Sequence, residues 1–245
     1  MKAMLLAAGL GTRLQPLTLT KPKALIEIGG ISLLERAILN LANYGVDAII
    51  INIHHFGKQV IEFIENKKFP GVQIAISDER NQLLDTGGGL LNASWFFTGN
   101  EPFILHNVDI ITSINLDKLI DFHVKHSPIA TLAVQQRISS RYFHSNANGE
   151  LCGWENVRNH HIKTITSKSP VIKKLAFSGI HVLSPAIFPL ISETGTFSII
   201  DTYLRLAEDY SIRLYDHTGD DFFDVGKFEQ LKEIESKINE KSKGL

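Results

Sequence analysis

Short apolar runs alternate along this chain with segments whose apolar residues recur every three or four positions. Lys2 to Ala8 is apolar throughout after its lysine and reads as a buried strand. From Ser32 to Asn43, the residues Leu33, Leu34, Ala37, Ile38 and Leu41 fall on one helical face. Ser32 stands before them as an N-cap, with Glu35 three residues on as its capping-box partner. Val46 to Ile53 predicts a second buried strand, Phe56 to Asn66 a helix, and Val72 to Ser77 a strand. Gly88 to Phe97 then reads as a helix, Phe103 to His106 as a short strand, Leu116 to Lys125 as a helix and Ile129 to Gln135 as a strand. This alternation predicts an α/β fold: a mixed, mostly parallel sheet with helices on both faces.

Between Gln136 and Ser169 the pattern loosens and turns polar, with Asn146 to Gly149 as a turn signal. Short strands around Tyr142 and over Leu151 to Trp154 predict small antiparallel accessory elements. Strand character returns at Lys174 to Leu183. A helix over Ser198 to Tyr210, a strand over Ile212 to Tyr215 and a C-terminal helix over Lys227 to Lys241 complete the pattern. With no repeat, low-complexity tract or Pro/Gly/Ser-rich linker, residues 1–245 are expected to form a single domain.

Composition adds mainly exclusions. A chain of 245 residues with 44% hydrophobic and 21% charged residues is ordinary for a globular protein. A net charge of −1 gives no general attraction to nucleic acid or to an anionic membrane surface, so neither is an expected partner. Cys152 is the one cysteine, which excludes an intramolecular disulfide and argues against a cysteine-based zinc site. The apolar N-terminal run is only about seven residues long and meets Gly9 where a signal peptide would have a cleavage site. No stretch approaches the roughly 20 apolar residues that span a bilayer. A cytoplasmic location is expected, and a homo-oligomer is compatible with these values.

The strongest chemical signal is Ala7-Ala8-Gly9-Leu10-Gly11-Thr12-Arg13-Leu14-Gln15-Pro16-Leu17-Thr18, followed by Lys21-Pro22-Lys23. A glycine-rich turn leaving a buried strand lets backbone N–H groups, at Gly9, Gly11 and Thr12, approach phosphate oxygens. Arg13 can fork onto two such oxygens, and Lys23 supplies a second, mobile charge. A dinucleotide fingerprint would need Gly where Leu14 stands, and Pro16 and Pro22 prolong the loop where a helix should begin. The P-loop's Gly-Lys-Ser/Thr is absent.

This segment resembles the signature of the sugar-phosphate nucleotidyltransferase family, Leu-Ala-Ala-Gly-x-Gly-x-Arg-x-x-Pro-x-Thr followed by Pro-Lys. The resemblance continues at Leu84 to Gly89, at Asn107-Val108-Asp109, at Phe177-Ser178-Gly179-Ile180 and at Asp224-Val225-Gly226. The order of motifs is most similar to the short bacterial N-acetylmuramate 1-phosphate uridylyltransferases, with mannose-1-phosphate guanylyltransferases as the nearest competing group. The resemblance implies a Rossmann-like nucleotide-diphospho-sugar transferase fold and Mg²⁺-dependent attack of a sugar 1-phosphate on the α-phosphorus of a nucleoside triphosphate. It also implies a nucleotide-binding part over residues 1–135 and a sugar-binding part with the C-terminal helix over 136–245.

Asp109 ends a buried strand, and two carboxylates at such strand ends could share one Mg²⁺. The family uses its matching aspartates in this way, which assigns the metal to Asp109 and Asp224. Val108 departs from the family's usual Gly before the first aspartate. In the family, the segment matching Thr86 and Gly87 lies beside the nucleobase with the backbone near Ala7 and Gly9. Asn52 ends the second parallel strand and is expected at the nucleotide. His54-His55 and His160-His161 lack further ligands at metal spacing.

Gly179 matches a family position beside the sugar. Arg141, in the irregular segment, and Asp201 are the remaining sugar-side candidates. Many family members carry a Glu-Lys-Pro element whose Lys meets the sugar phosphate, and this chain has none. A nucleotide-binding regulatory protein and the same chemistry on a non-sugar acceptor such as phosphocholine remain open. Without a hexapeptide-repeat extension, a second acetyltransferase activity is not expected.

Overall fold

The computed structural model describes residues 1–168, 170–226, 228 and 231–242. Ser169 and Lys227, which bound two of the segments above, lie outside the described residues. In chain order the elements are β1 (Lys2–Leu6), β2 (Glu27–Ile28), β3 (Ile31–Ser32), α1 (Leu33–Asn43), β4 (Ala48–Ile53), α2 (Gly57–Asn66), β5 (Gln73–Asp78), α3 (Asp85–Asn92), β6 (Phe103–Asn107) and β7 (Ile110–Thr112). They continue as α4 (Leu116–His126), β8 (Ala130–Gln135), β9 (Arg141–Ser145), β10 (Leu151–Asn156), β11 (His161–Thr164), β12 (Lys173–Leu183), α5 (Ile199–Leu206), β13 (Ile212–Asp216), β14 (Phe222–Asp224) and α6 (Leu231–Ser242). They fold into two compact units. One comprises Met1–Leu83, His106–Thr112 and the segment from Asp221 onward; the other comprises Leu84–Leu105 and Ser113–Asp220.

In the first unit β1 and β5 flank β4, and all three strands are parallel. Ala3, Met4, Leu5 and Ile49 to Ile51 are fully buried, as expected for parallel strands covered on both faces. The register aligns Leu6, Asn52 and Ser77 at the carboxyl ends, the side of such sheets where loops carry ligand chemistry. Helix α1 buries the five apolar residues expected, and Ser32 Oγ accepts from the Glu35 N–H at 3.2 Å. After β6 the Val108 N–H donates to Leu6 O at 3.2 Å. The chain then turns at Val108–Asp109 and returns as β7, antiparallel to β14 with Ile110 opposite Asp224. Ile26, Ile28, Leu33, Val225 and Ile234 form a buried cluster that fastens the glycine-rich segment's far end to α1, α6 and the end of β14.

In the second unit β8 lies between β12, antiparallel, and β13, parallel. Strand β12 also pairs with β9, which continues antiparallel to β10 and then β11. Phe97, Phe103 and Phe188 stack with ring centroids 3.9 to 5.9 Å apart.

The differences from the sequence expectation have local causes. Helix α3 starts at Asp85, three residues early, and gives way to a 3-10 turn at Ser94–Phe96. Two of its residues, Gly87 and Gly88, lie where Phe197 and Gly195 leave no room for a side chain. Helix α5 ends at Leu206 rather than Tyr210. Strands β7 and β14 have three residues each, too few to show a period. Strand β11 has no buried residue, so no apolar alternation marks it.

Candidate active site

The glycine-rich loop is held mainly by its own residues. Gly11 sits at φ 64°, and a Cβ there would stand 2.9 Å from Thr18 Cγ2 and 3.0 Å from Lys23 Cβ. Thr18 Oγ1 donates to Gly11 O at 2.8 Å, and the buried Leu14, Thr18 and Ala24 pin the turns. Gly11 is therefore required by the loop itself. Gly9 is different: no protein atom lies within 4 Å of where its Cβ would be, so the space above its backbone is open to a ligand. Ala7 is buried, and Thr12 and Arg13 form the first of three 3-10 turns.

Lys23 opens the third such turn, and its side chain is 10% exposed. Its Nζ is ion-paired with Asp109 Oδ2, at the turn between β6 and β7. The Val225 N–H donates to Asp109 O at 2.9 Å, tying the Asp109 turn to the Asp224-Val225-Gly226 segment. A Cβ on Gly226 would stand 2.9 Å from Asp224 Oδ1 and 3.3 and 3.4 Å from the two terminal nitrogens of Arg13. The third residue of that motif is thus glycine so that the carboxylate and the guanidinium can lie over its backbone. Arg13, Lys23, Asp109 and Asp224 are brought together within the first unit. His106, just upstream, is held to a pKa of about 4, chiefly by burial, and is neutral at neutral pH.

Asn52 is 2% exposed and turns inward. Its Oδ1 accepts from the N–H groups of Ala7 and Ala8 at 2.7 and 3.3 Å, and its Nδ2 donates to Glu79 Oε1 at 2.7 Å. Asn52 thus holds the backbone that leads into the loop. Glu79, itself 2% exposed, was not among the sequence candidates. It sits in Asp78-Glu79-Arg80, which reads as an ordinary charged turn. His54 Nδ1 bonds Glu79 O at 2.7 Å and also serves this support.

In the second unit Thr86 and Gly87 lie in the first turn of α3. Thr86 Oγ1 accepts from the Ile199 N–H at 3.1 Å, and the Gly87 N–H donates to Phe197 O at 2.9 Å. Gly179, at φ 72°, lies within the register shift of β12 against β8. Next to it Ser178 Oγ meets His217 Nε2 at 2.8 Å, and Gln135 Nε2 donates to Asp220 O at 2.9 Å. Arg141 and Asp201 come together in a pocket of about 380 Å³ that Tyr142, Phe143, Trp154 and Lys163 also line. Gly179 does not line it. Trp154 and Lys163 escaped sequence reading because no motif marks either of them.

The sequence matches the nucleotidyl transferase family over residues 2–241, and the chain belongs to that family. It is an enzyme of the sugar-1-phosphate nucleotidyltransferase class. It is 30% identical to the N-acetylmuramate α-1-phosphate uridylyltransferase of Caulobacter vibrioides over 231 residues, 89% of this chain and 91% of that relative. Mannose-1-phosphate guanyltransferase of Saccharomyces cerevisiae is 29% identical over 232 residues, 93% of this chain, which spans only 62% of that relative's length. The fold is shared with HddC from Yersinia pseudotuberculosis, at a TM-score of 0.77 and 21% identity over 97% of this chain and 99% of that one. The mixed, mostly parallel sheet with helices is thus the fold of the nucleotide-diphospho-sugar transferases.

Proposed function

We propose that the chain transfers the uridylyl group of UTP to N-acetylmuramate 1-phosphate, giving UDP-N-acetylmuramate and pyrophosphate, a cytoplasmic step of cell-wall precursor synthesis. The observation that carries the reaction is the group Arg13, Lys23, Asp109 and Asp224 beside a loop whose Gly9 faces open space. The uridylyltransferase relative supports the substrate pair because it matches this chain along nearly its whole length, and the missing Glu-Lys-Pro element points the same way. Residues 1–245 are read as one nucleotidyltransferase domain, with residues 1–135 serving the nucleotide and residues 136–245, including the C-terminal helix, serving the acceptor.

A phosphate oxygen of the acceptor attacks the α-phosphorus in line. One P–O bond forms, and the bond to the β-phosphate oxygen breaks, releasing pyrophosphate. The acceptor is already an anion, so no general base is needed. The protein instead has to align two anions and offset their repulsion. Arg13 and Lys23 supply the cations, and Gly9, Gly11 and Thr12 supply the loop backbone. Asn52 fixes the backbone of Ala7 and Ala8 behind it. Thr86 and Gly87 are assigned to the nucleotide and Gly179 to the sugar on family resemblance.

Asp109 and Asp224 offer hard carboxylate oxygens on segments tied by a backbone hydrogen bond. Mg²⁺ is the ion that such a pair of carboxylates would hold. That ion commonly takes one or two carboxylates and completes its octahedron with phosphate oxygens and water. When bound, it neutralises triphosphate charge. Lys23 is ion-paired with Asp109.

A second reading, GTP with mannose 1-phosphate, is favoured by the guanyltransferase relative. A purely regulatory role is opposed by the presence of all four charged groups. The test is pyrophosphate release from UTP, GTP, CTP and dTTP, each offered with the 1-phosphates of N-acetylmuramate, glucosamine, mannose and glucose. UTP with N-acetylmuramate 1-phosphate should give the highest kcat/KM. Highest activity with GTP and mannose 1-phosphate would overturn this pair.

A further inference from the structure

We propose that the pocket of β9, β10, β11 and α5 selects an acceptor bearing two anionic groups, a sugar acid 1-phosphate. Arg141 reads its carboxylate and Lys163 its phosphate. The inference rests on the proposed reaction and deepens it, because nothing in the glycine-rich loop distinguishes one acceptor from another.

The strand registers set the pocket's chemistry. Phe143 lies opposite Trp154 across β9 and β10, and Trp154 lies opposite Lys163 across β10 and β11. Arg141 is two residues from Phe143, so the strand alternation puts it on the same face. One sheet face therefore presents a guanidinium, an ammonium and an indole, and residues of α5, Asp201 among them, close the pocket. A volume of about 380 Å³ is in the range of small-ligand sites and suits a single substituted pyranose. Trp154 offers a flat apolar face to the ring.

The two cations differ in how they are held. Lys163 Nζ meets Asp201 Oδ1 at 2.6 Å, with the side chains 42% and 56% exposed. A pair so exposed is weak and exchanges readily for a ligand anion. Asp201 thus keeps Lys163 in place as a counter-ion and does not itself need to touch the sugar. Among the described residues the Arg141 guanidinium has no ion-pair partner. A planar guanidinium matches the two oxygens of a carboxylate, whereas an ammonium serves a phosphate as a point charge. A neutral sugar 1-phosphate would leave one of these two cations unused. N-acetylmuramate 1-phosphate, with its lactyl acid, would use both.

The test compares N-acetylmuramate 1-phosphate with N-acetylglucosamine 1-phosphate, the same sugar without the lactyl acid, in the full-length wild type, Arg141→Ala and Lys163→Ala. With UTP as donor, the wild type should prefer the acid-bearing acceptor by ~10-fold or more in kcat/KM, the scale of one charge-assisted contact. Arg141→Ala should reduce that preference to about twofold or less, while Lys163→Ala should raise KM for both acceptors. In a Trp95→Phe background, which leaves Trp154 as the reporter, N-acetylmuramate 1-phosphate alone should change the fluorescence, and Arg141→Ala should weaken that response. A preference kept in Arg141→Ala, or no fluorescence response in the parent, would overturn the pocket assignment and leave the substrate reading standing. A wild type that prefers mannose 1-phosphate with GTP would overturn both.

Discussion

At Gly9 and Gly11 the same amino acid answers two different demands. An alanine at Gly11 would meet Thr18 and Lys23 and hold a left-handed backbone, so Gly11→Ala should lower stability by ~1–3 kcal/mol in urea melts. An alanine at Gly9 meets nothing, so Gly9→Ala should melt within about 0.5 kcal/mol of wild type and show its effect as a raised KM for the nucleotide. Lys23→Ala should lower kcat by ~10²–10³-fold, the usual cost of losing one preorganised charge-stabilising group. If its turnover stays within about twofold of wild type, the charge-offset mechanism is wrong as drawn. Asp224→Ala should likewise lose most of its turnover with little loss of fold, and near wild-type turnover with an unchanged Mg²⁺ requirement would remove Asp224 from the site. Residue identity made Arg13, Lys23, Asp109 and Asp224 legible in the sequence because each belongs to a motif. Asn52 was legible as a residue, whereas its partners Ala7, Ala8 and Glu79 show only in the fold.

Helices α3 and α5 depend on glycines that look, in sequence, like a loop made for ligand approach. A Cβ on Gly88 would stand 2.4 Å from Gly195 O, and one on Gly87 would stand 2.3 Å from the Phe197 ring. The nearest obstacle at Gly87 is a side chain, whereas at Gly88 it is a backbone carbonyl. Gly88→Ala should therefore be the more destabilising substitution, by ~1–3 kcal/mol or more in denaturant melts. Helix α4 carries a pH dependence. His123 Nδ1 meets Thr131 Oγ1 at 2.9 Å, and burial lowers the His123 pKa from 6.5 to about 4. The folded state thus keeps His123 neutral where the unfolded state takes a proton. Its contribution is intact above pH 6.5 and is lost as pH falls towards 4, at up to ~1.4 kcal/mol per pH unit. Urea melts between pH 7 and pH 5 should show a shallower decline in His123→Gln than in wild type. The long periodic elements, such as α1 and β4, were readable because their apolar spacing is set by burial on a known face. Strands β7, β11 and β14 were not, since two are too short to show a period and the third buries nothing.

Over the whole molecule, a net charge of −1 gives no general attraction to nucleic acid or an anionic membrane surface and points to no substrate. No described helix is long and apolar enough to cross a membrane. The donor side was legible because phosphate chemistry demands backbone, cations and acids at fixed spacing in a single loop and two strand ends. The acceptor side was only partly so. Arg141 and Asp201 could be named, but Lys163 and Trp154 join them through strand registers that no motif records. In the proposed reaction the uridylyl group of UTP, with its α-phosphorus, passes to the sugar 1-phosphate. The most direct measurement follows α-phosphorus-labelled UTP incubated with the protein, Mg²⁺ and N-acetylmuramate 1-phosphate. The label should appear in UDP-N-acetylmuramate, with unlabelled pyrophosphate released in equal amount. Label that stays in UTP, or that appears only as UMP, would contradict this transfer.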